Sequence, residues 1–370
     1  TLFPYTTLFR SPAGKGLTIF IVLSMLMSGA ILFFSIDASS WVIFKEADKW
    51  KLSFSVFLVV SIWLLDALKL KALTRAAGEC IDYRLSLELT WINYFGAAIT
   101  PMQSGGGPFQ MYVMYKNGII VGKSIAITLA RTILTMLILG VTIPFSFMFY
   151  EELPRFGWGM KGFVYYIVVL CMIVWFVVVL SLLRPKIIKR WCGIVIMGLK
   201  HIGFLHPERV IRMLKRVSRE VDAYNENIRA FMTTGRKYFL LGTLAAFIQM
   251  WVQLSVMPCM IWALGLPVQY LECILMQALF LFMLYFIPTP GGSGAAEGGA
   301  AFVFGLFVPW NVAGVLGVAW RILTEYTGIA LGVVVVMKLI GWNLADQIIV
   351  KRKENNGIEM NDIDAGTDKS

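Results

Sequence analysis

Two arginines, Arg131 and Arg321, lie inside long apolar stretches of this 370-residue chain. Arg131 follows Lys123 by eight residues, which places it about 12 Å further along a helix. Apolar stretches of this length are typical of membrane helices. A charged side chain about 12 Å inside such a helix costs about 3 kcal/mol on insertion scales, so it usually has a partner or a function. A guanidinium group offers a planar set of donors that matches phosphate. We therefore predict that the two arginines bind the phosphate of a lipid headgroup from two sides.

Acidic residues near the arginines support a second interpretation, in which each arginine is neutralised inside the protein. Glu325 follows Arg321 by four residues, so the two would share one face of a helix. Glu297 and Asp66 are the other candidate counter-ions, although Asp66 lies near a predicted membrane boundary. Glu297 could instead bind a cationic headgroup or carry a coupling proton. The sequence leaves these interpretations open.

A short motif rich in proline and glycine occurs twice. Thr-Pro-Met-Gln-Ser-Gly at 100–105 matches Thr-Pro-Gly-Gly-Ser-Gly at 289–294, at an offset of 189. Such residues interrupt a helix at membrane depth only where the backbone is buried in protein or lines a wet cavity, although glycines also allow close helix packing. The predicted helix breaks are Pro101, Gly105, Gly106, Gly107, Pro290, Gly291, Gly292 and Gly294, and the polar side chains expected at the site are Gln103, Ser104, Gln110 and Ser293.

The elements that carry these residues are predicted to be membrane helices. The chain is 58% apolar and 15% charged, with a mean hydropathy of +0.73, which excludes an ordinary soluble enzyme. Two apolar stretches, 85–115 and 270–307, are interrupted in the middle and are predicted to form re-entrant helical hairpins; ordinary paired spans are the alternative. Six uninterrupted segments are long enough to cross about 30 Å of hydrocarbon. They are Leu17–Ile36, Leu52–Leu68, Ser124–Phe149, Gly162–Leu183, Tyr238–Leu264 and Val312–Met337.

Loop charges predict the orientation of these spans. With both termini inside, the cytoplasmic segments carry 26 lysines and arginines and the external segments carry 5. Positive charge is retained on the cytoplasmic side during insertion, so this bias favours that orientation in a bacterial cytoplasmic membrane. The cytoplasmic segments counted are 1–16, 69–84, 115–123, 184–237 and 338–370.

The order of the elements predicts an inverted-topology repeat. Each copy contains a span, a hairpin and an arginine-bearing span, over about residues 52–149 and 238–337. The sequences around the arginines, 130–135 and 320–324, match at an offset of 190. An additional crossing between the copies makes the hairpins enter from opposite faces, so their tips are expected to meet near the midplane. The predicted fold class is an all-α polytopic membrane protein with about six transmembrane helices and two re-entrant hairpins, as is typical of secondary transporters.

Three further segments complete the predicted organisation around a membrane domain at 12–345. Residues 1–11 show no targeting pattern and are interpreted as a non-native leader, with a short natural N-terminal arm as the alternative. Residues 184–237 are predicted to form a basic amphipathic loop that lies either against anionic headgroups or in water. Residues 346–370 are predicted to be a disordered cytoplasmic tail.

The sequence offers little for other kinds of chemistry. Five cysteines without a C-x-x-C pair and only two histidines predict no disulfide framework, no metal site and no cofactor. The glycine-rich sequence 291–299 lacks the Gly-Lys-Ser/Thr ending of a nucleotide-binding loop, which argues against transport driven by ATP. The positive charge is explained by membrane orientation, so no nucleic-acid partner is expected.

The second hairpin and the arginine-bearing spans resemble the lysylphosphatidylglycerol synthase transmembrane family, which is flippase-like. The most specific feature is the motif 290–294 followed by Glu297, supported by the first hairpin at 93–107. The resemblance extends over about 17–345 and includes the membrane half of the multiple peptide resistance factors. It implies movement of a phospholipid, such as aminoacylated phosphatidylglycerol, or of a glycolipid, with membrane lipids as partners and resistance to cationic peptides as a consequence. The segment 103–108 departs from the usual form of the family, so the lipid stays open.

In full-length members of that family, a separate C-terminal cytoplasmic domain transfers the lysyl group from lysyl-tRNA. This chain ends about 33 residues after its last predicted span, so we expect it not to act as phosphatidylglycerol lysyltransferase, and a separate lipid synthase could be its partner. Two other functions stay open. One is an enzyme or enzyme subunit that modifies lipid headgroups, and the other is a carrier of small solutes built on the same repeat. The oligomeric state is not predicted.

Overall fold

The computed structural model describes residues 12–37, 43, 45–148 and 235–339, together with scattered positions between 162 and 176. The named elements in these ranges are all helical. In chain order they are α1 (Pro12–Ser35), α2 (Lys49–Ala76), α3 (Tyr83–Ala98), α4 (Gly106–Lys116), α5 (Val121–Met148), α6 (Arg236–Ala263), α7 (Tyr270–Leu284), α8 (Ala295–Gly305), α9 (Trp310–Arg321), a π-helical turn (Ile322–Tyr326) and α10 (Thr327–Leu339).

Four of the described helices are long and apolar enough to cross a membrane: Gly14–Ser35, Val121–Pro144, Arg236–Ala263 and Trp310–Leu339. The last of these runs continuously through α9, the π-helical turn and α10. Helix α2 has 28 residues, which at a rise of 1.5 Å per residue also exceeds the thickness of the hydrocarbon core. The predicted all-α polytopic membrane fold is confirmed.

Helices α2 and α6 begin the two repeats and lie side by side in opposite directions. The backbone N–H of Asp48, which precedes α2, donates to the carbonyl of Ala263 at the end of α6, at 2.9 Å. At the other end, Gly235 lies so close to Ala76 that a Cβ on this glycine would be 2.2 Å from the Ala76 carbonyl oxygen. Two helices of 28 residues that pair in opposite directions agree with the predicted inverted repeat.

Each re-entrant hairpin consists of two short helices joined by a turn at the predicted break. In the first hairpin, α3 ends at Ala98 and α4 begins at Gly106. In the second, α7 ends at Leu284 and α8 begins at Ala295. Helices of 11 to 16 residues are too short to cross the bilayer singly, so each pair dips in and returns.

The tips of the two hairpins meet head on. Pro101 and Pro290 form an antiparallel bridge, and the Gly291 N–H donates to the carbonyl of Thr100 at 3.4 Å. This pairing is the one expected for hairpins that approach each other from opposite sides. The contact therefore agrees with the opposite directions of α2 and α6.

The two tips share a left-handed backbone at two matching positions although their residues differ, whereas the matching pair Gly105 and Gly294 has φ values of −82° and +85°. Met102 and Gln103 both have a left-handed φ of 54°, and the matching residues Gly291 and Gly292 have φ values of 59° and 69°. Glycine adopts this conformation without strain, whereas it costs other residues about 1 kcal/mol or more. The repeat found in the sequence is thus also present in the backbone.

Glycines after the first tip allow close packing of its two arms. A Cβ on Gly106 would lie 2.2 Å from the side-chain oxygen of Asn93, and a Cβ on Gly105 would lie 2.5 Å from the carbonyl oxygen of Gly96. Both interpretations of the glycines therefore apply: the second tip uses them for its turn, and the first hairpin uses them to bring its helices together.

The hairpins pack against both repeats. Helix α3 of the first hairpin lies against α10, and α7 of the second hairpin lies against α5. Within each repeat, α4 packs on α5 and α8 packs on α9. One apolar cluster forms mainly among α2 and α6 to α9, and a second forms mainly among α2 to α5 and α10. Because each hairpin packs against a helix of the other repeat as well as its own, both arginine-bearing helices lie beside the hairpin tips.

Helix α2 corrects the predicted span Leu52–Leu68. It begins at Lys49, where the Asp48 side chain accepts hydrogen bonds from the first turn, and it continues to Ala76. Residues 69–76, the first part of the predicted cytoplasmic segment 69–84, are therefore helical, as are Tyr83 and Arg84 at the start of α3. Lys69 does not end the helix because Asp66, one turn earlier, provides its counter-charge.

Some predictions concern residues outside the described ranges. These are the leader 1–11, most of the span Gly162–Leu183, the loop 184–237 except its last three residues, and the tail 346–370.

Candidate functional site

A cavity of about 420 Å³ lies between the two repeats, against the first hairpin tip. Its volume is in the range of small-molecule binding sites. Both polar and apolar side chains line its wall. The polar and charged side chains that line it are Asp66, Lys69, Asn93, Tyr94, Gln103, Ser104, Thr128, Arg131, Thr132, Thr135, Gln249, Gln253, Tyr285 and Glu325.

Asp66 holds two cations in this wall. The Asp66 carboxylate lies 2.5 Å from Nη2 of Arg131 and 2.6 Å from Nζ of Lys69. The Arg131 Nε also donates to the same carboxylate at 3.3 Å, so the guanidinium contacts it through two nitrogens. Asp66 is only 3% exposed and Lys69 only 2%. Because two cations share one carboxylate, the group carries an excess of one positive charge beside the cavity.

Neutral side chains fix the geometry of this charged group. Thr90 Oγ1 donates to Asp66 at 3.0 Å, and Lys69 Nζ donates to Gln249 Oε1 at 2.6 Å. Gln110 accepts a long hydrogen bond of 3.5 Å from Arg131 and donates to a backbone carbonyl of α3 at 3.0 Å. The partners come from α3, α4 and α6, so the group ties the first hairpin to both long helices. Such supporting hydrogen bonds hold a binding group in one orientation.

Arg321 forms a second charged group on the other repeat. Its Nη2 donates to the Gly291 carbonyl at 2.9 Å, which ties the arginine to the second hairpin tip. Its Nε lies 3.6 Å from Glu297 and its Nη1 lies 3.7 Å from Glu325. Glu297 is 0% exposed, accepts a 2.6 Å hydrogen bond from the Gly294 N–H, and accepts another of 2.6 Å from the Tyr326 hydroxyl. Here two carboxylates share one cation, so the excess charge is negative.

Two adjacent residues of the π-helical turn reach different partners. A π-helical turn is wider than an α-helical one and often occurs at functional sites. Within the segment Ile322–Tyr326, Glu325 lines the cavity while the next residue, Tyr326, binds Glu297 behind it. Glu325 is 25% exposed and connects the second charged group to the cavity.

Comparison with known families identifies the chain as a membrane protein. The sequence model of the lysylphosphatidylglycerol synthase transmembrane region matches residues 20–332. The chain belongs to this family. A UPF0104 membrane protein from Archaeoglobus fulgidus is 26% identical over 316 residues, which are 85% of this chain and 94% of that relative. The match to the lysylphosphatidylglycerol synthase transmembrane family includes both hairpins and both arginine-bearing helices, so the resemblance predicted from the motifs is confirmed.

For this family member, the structure separates the two predicted arginines. Arg131 lines the cavity, whereas Arg321 does not line it and is 1% exposed. The ion pairs proposed as the alternative are present: Arg131 pairs with Asp66, and Arg321 pairs with Glu297 and Glu325. An approach of both guanidinium groups to one phosphate is therefore not the arrangement seen, because carboxylates and a tip carbonyl surround Arg321.

Some of the remaining predicted site residues line the cavity and others lie outside its wall. Gln103, Ser104 and Glu325 line the cavity. Gln110 lies behind Arg131 and supports it. Ser293 is buried at the second tip and, with Glu297, lies outside the cavity wall.

Sequence reasoning missed several residues of the wall. Lys69, Gln249, Tyr94 and Tyr285 line the cavity and were not candidates, and Asp66 was a minor one. A signal for Lys69 does exist in the sequence. Asp66 and Lys69 lie three residues apart on one helix face, a spacing at which an acidic and a basic side chain can form an ion pair. Within the described residues, no group of three or more His, Cys, Asp or Glu side chains is placed to hold a metal ion.

Proposed function

We propose that this membrane protein moves a phospholipid or glycolipid headgroup from one leaflet to the other, with the headgroup in the cavity and its phosphate bound by Arg131 and Lys69. The single observation that supports this is the excess positive charge of two nearly buried cations on one carboxylate. A buried excess charge is costly in a membrane protein and usually marks a substrate pathway. Phosphate oxygens are suitable partners for both a guanidinium and an ammonium group.

The surroundings of the cations favour a headgroup over a bare ion. Apolar side chains such as Met102, Met111 and Leu129 share the wall with Asn93 and Gln253. A cavity of about 420 Å³ also leaves room for the organic part of a headgroup beside its phosphate. Membrane lipids are accordingly the proposed partners, with a separate lipid synthase as a source of the lipid.

The proposed location is the cytoplasmic membrane of a bacterium, with both termini inside. Support comes from the excess of lysines and arginines in the predicted cytoplasmic segments. Reporter fusions at each terminus test it. Both fusions should report the cytoplasm, and a periplasmic signal from either would contradict the orientation.

Purified protein in liposomes tests the transport proposal. A trace of phospholipid labelled on an acyl chain is added, and a membrane-impermeant quencher reports how fast the label reaches the outer leaflet. We expect the wild type to exceed protein-free liposomes, and Arg131→Ala and Lys69→Ala each to slow translocation about tenfold or more, since each removes a charge-assisted hydrogen bond to phosphate. Either variant leaves Asp66 with one cation, so the fold should persist.

A matched control is Arg84→Ala, because Arg84 pairs with Glu88 at the surface and lies outside the cavity wall. Its translocation rate should equal that of the wild type. Transport at the protein-free rate, or at full rate in both cavity variants, would contradict the proposal. Conversion of the lipid to a product, seen by mass spectrometry, would favour a headgroup-modifying enzyme, and solute flux without lipid movement would favour a solute carrier.

A further inference from the structure

The two charged groups have opposite excess charges on opposite repeats. Lys69, Arg131 and Asp66 give the first repeat an excess of one positive charge. Glu297 and Glu325 share Arg321 and give the second repeat an excess of one negative charge. With all six side chains in their charged forms, the charges of the two groups sum to zero.

The two carboxylates that line the cavity differ in their capacity to bind a ligand. Asp66 is occupied, since it accepts from Arg131, Lys69 and Thr90. Glu325 contacts Arg321 at 3.7 Å, which is longer than a hydrogen bond, and makes no hydrogen bond to any residue that the structure describes. Its carboxylate is also partly exposed at the cavity. Glu325 is thus the carboxylate that can accept from a bound ligand.

The two cations of the first repeat also have donors that a ligand can use. Lys69 Nζ makes contacts of 2.6 Å to Asp66 and to Gln249, and an ammonium group has three donors. Arg131 uses Nε and Nη2 on Asp66, and only a long contact of 3.5 Å engages its Nη1. One wall of the cavity can therefore donate to an anion while the π-helical turn presents an acceptor.

Electroneutrality sets the net charge of the ligand. A charge interacts strongly with its surroundings in a poorly solvated site, and an unbalanced one is costly. A headgroup of zero net charge keeps the balance of the site, an anionic headgroup leaves one negative charge unbalanced, and a cationic headgroup leaves one positive charge unbalanced.

We infer that the site selects a zwitterionic phospholipid headgroup of zero net charge, with its phosphate on Lys69 and Arg131 and its primary ammonium on Glu325. This rests on the proposed function and specifies its substrate class. A primary ammonium is favoured over a quaternary one because only the former donates a hydrogen bond to a carboxylate.

Translocation of three acyl-labelled phospholipids by the full chain in liposomes tests this inference. The headgroups are phosphoethanolamine, which is zwitterionic, phosphoglycerol, which is anionic, and lysyl-phosphoglycerol, which carries net positive charge. The wild type should move the first about tenfold faster than either of the others, the ratio expected from one charge-assisted hydrogen bond. This ranking needs no variant.

Charge-neutralising variants should change the ranking in opposite directions. Glu325→Gln should lower the rate for phosphoethanolamine relative to phosphoglycerol about tenfold, because the carboxylate that receives the ammonium is lost. Lys69→Gln should raise the relative rate for lysyl-phosphoglycerol, because the site then lacks one positive charge. Glu325→Asp should retain the wild-type ranking. Glu79→Gln, at a surface ion pair with Lys123, is the matched control and should leave all ratios unchanged.

The outcomes separate the two proposals. If no headgroup moves faster than in protein-free liposomes, the proposed function itself fails. If all three move well but at similar rates, or if a charged headgroup moves fastest, transport stands and the inference on substrate class is overturned. Unchanged ratios in Glu325→Gln would overturn the role of Glu325.

Discussion

Asp66 is the residue on which the first charged group depends. It receives donors from three helices: Lys69 on its own helix, Thr90 on α3 and Arg131 on α5. Both cations are mostly buried, so neither can be solvated by bulk water if the carboxylate charge is removed. A group of this kind contributes to the orientation of its members as much as to stability.

Asp66→Asn should therefore destabilise the protein strongly. The substitution keeps the shape of the side chain but leaves two cations without a buried counter-charge, a change that typically costs about 3 kcal/mol or more. Thermal unfolding in detergent measures the effect. The double variant Asp66→Asn with Lys69→Gln should recover part of the lost stability, since only one cation then stays unpaired.

The matched control for this prediction is Asp48→Asn. Asp48 pairs with Lys51 at 3.8 Å where both side chains are partly exposed, and such pairs contribute less than about 1 kcal/mol. Equal stability losses at Asp48 and Asp66 would show that the buried group does not carry the stability that its geometry indicates.

At the scale of the elements, the second hairpin tip depends on glycine conformation. Gly291 has a φ of +59°, and a Cβ there would lie 2.8 Å from the ring of Phe20. Gly291→Ala should thus lower the free energy of unfolding by about 2 kcal/mol or more, from left-handed strain together with the clash. Gly29→Ala in α1 should raise it by about 0.5 to 1 kcal/mol, because nothing lies within 4 Å of that position and alanine favours a helix. Chemical denaturation in detergent compares the two, and equal effects would contradict the assigned conformation.

The first tip shows where sequence reasoning reached its limit. The proline and glycine motif predicted both helix breaks, but nothing in Met102 or Gln103 indicates a left-handed backbone. That conformation is fixed by pairing with the opposite tip, a contact between residues 189 apart. Similarly, the i, i+4 spacing predicted that Arg321 contacts Glu325, whereas the π-helical turn that directs Glu325 to the cavity depends on tertiary packing. Local pattern predicted the elements, and long-range contacts decided which residues share a site.

The π-helical turn can be tested by shortening it. A π-helical turn corresponds to one additional residue in an α-helix, so deleting the exposed Ile322 should restore α-helical geometry while α9 and α10 keep their packing. Helix content by circular dichroism should stay unchanged, but lipid translocation should fall about tenfold or more because Glu325 no longer reaches both Arg321 and the cavity. Deleting the exposed Val334, in the regular part of α10, is the control and should lower stability instead, since it rotates the following residues by about 100°.

At the scale of the whole molecule, the two repeats pair through their turns at the contact between the hairpin tips. Its backbone hydrogen bonds, from Met102 to Ile287 at 3.2 Å and from Gly291 to Thr100 at 3.4 Å, are long, and two of its residues hold a strained conformation. The antiparallel helix pair α2 and α6 is by contrast packed along its length, with contacts from Asp48 to Ala263 at one end and from Ala76 to Gly235 at the other. A weak joint beside a rigid helix pair is where relative movement of the repeats is least costly.

A disulfide across the tips tests whether transport requires their separation. Residues directly opposite in a non-hydrogen-bonded antiparallel pair have Cα atoms about 4.5 Å apart, within the range that a disulfide accepts. In a background in which the five native cysteines are replaced by serine, Pro101→Cys with Pro290→Cys should cross-link on mild oxidation. Cleavage at a protease site inserted between the repeats, followed by a non-reducing gel, detects the bond.

Translocation should fall about tenfold or more when the bond forms and should recover on reduction, while each single cysteine variant stays insensitive to oxidation. Full transport by the cross-linked protein would show that headgroups pass without separation of the tips, and that any movement between the repeats occurs elsewhere.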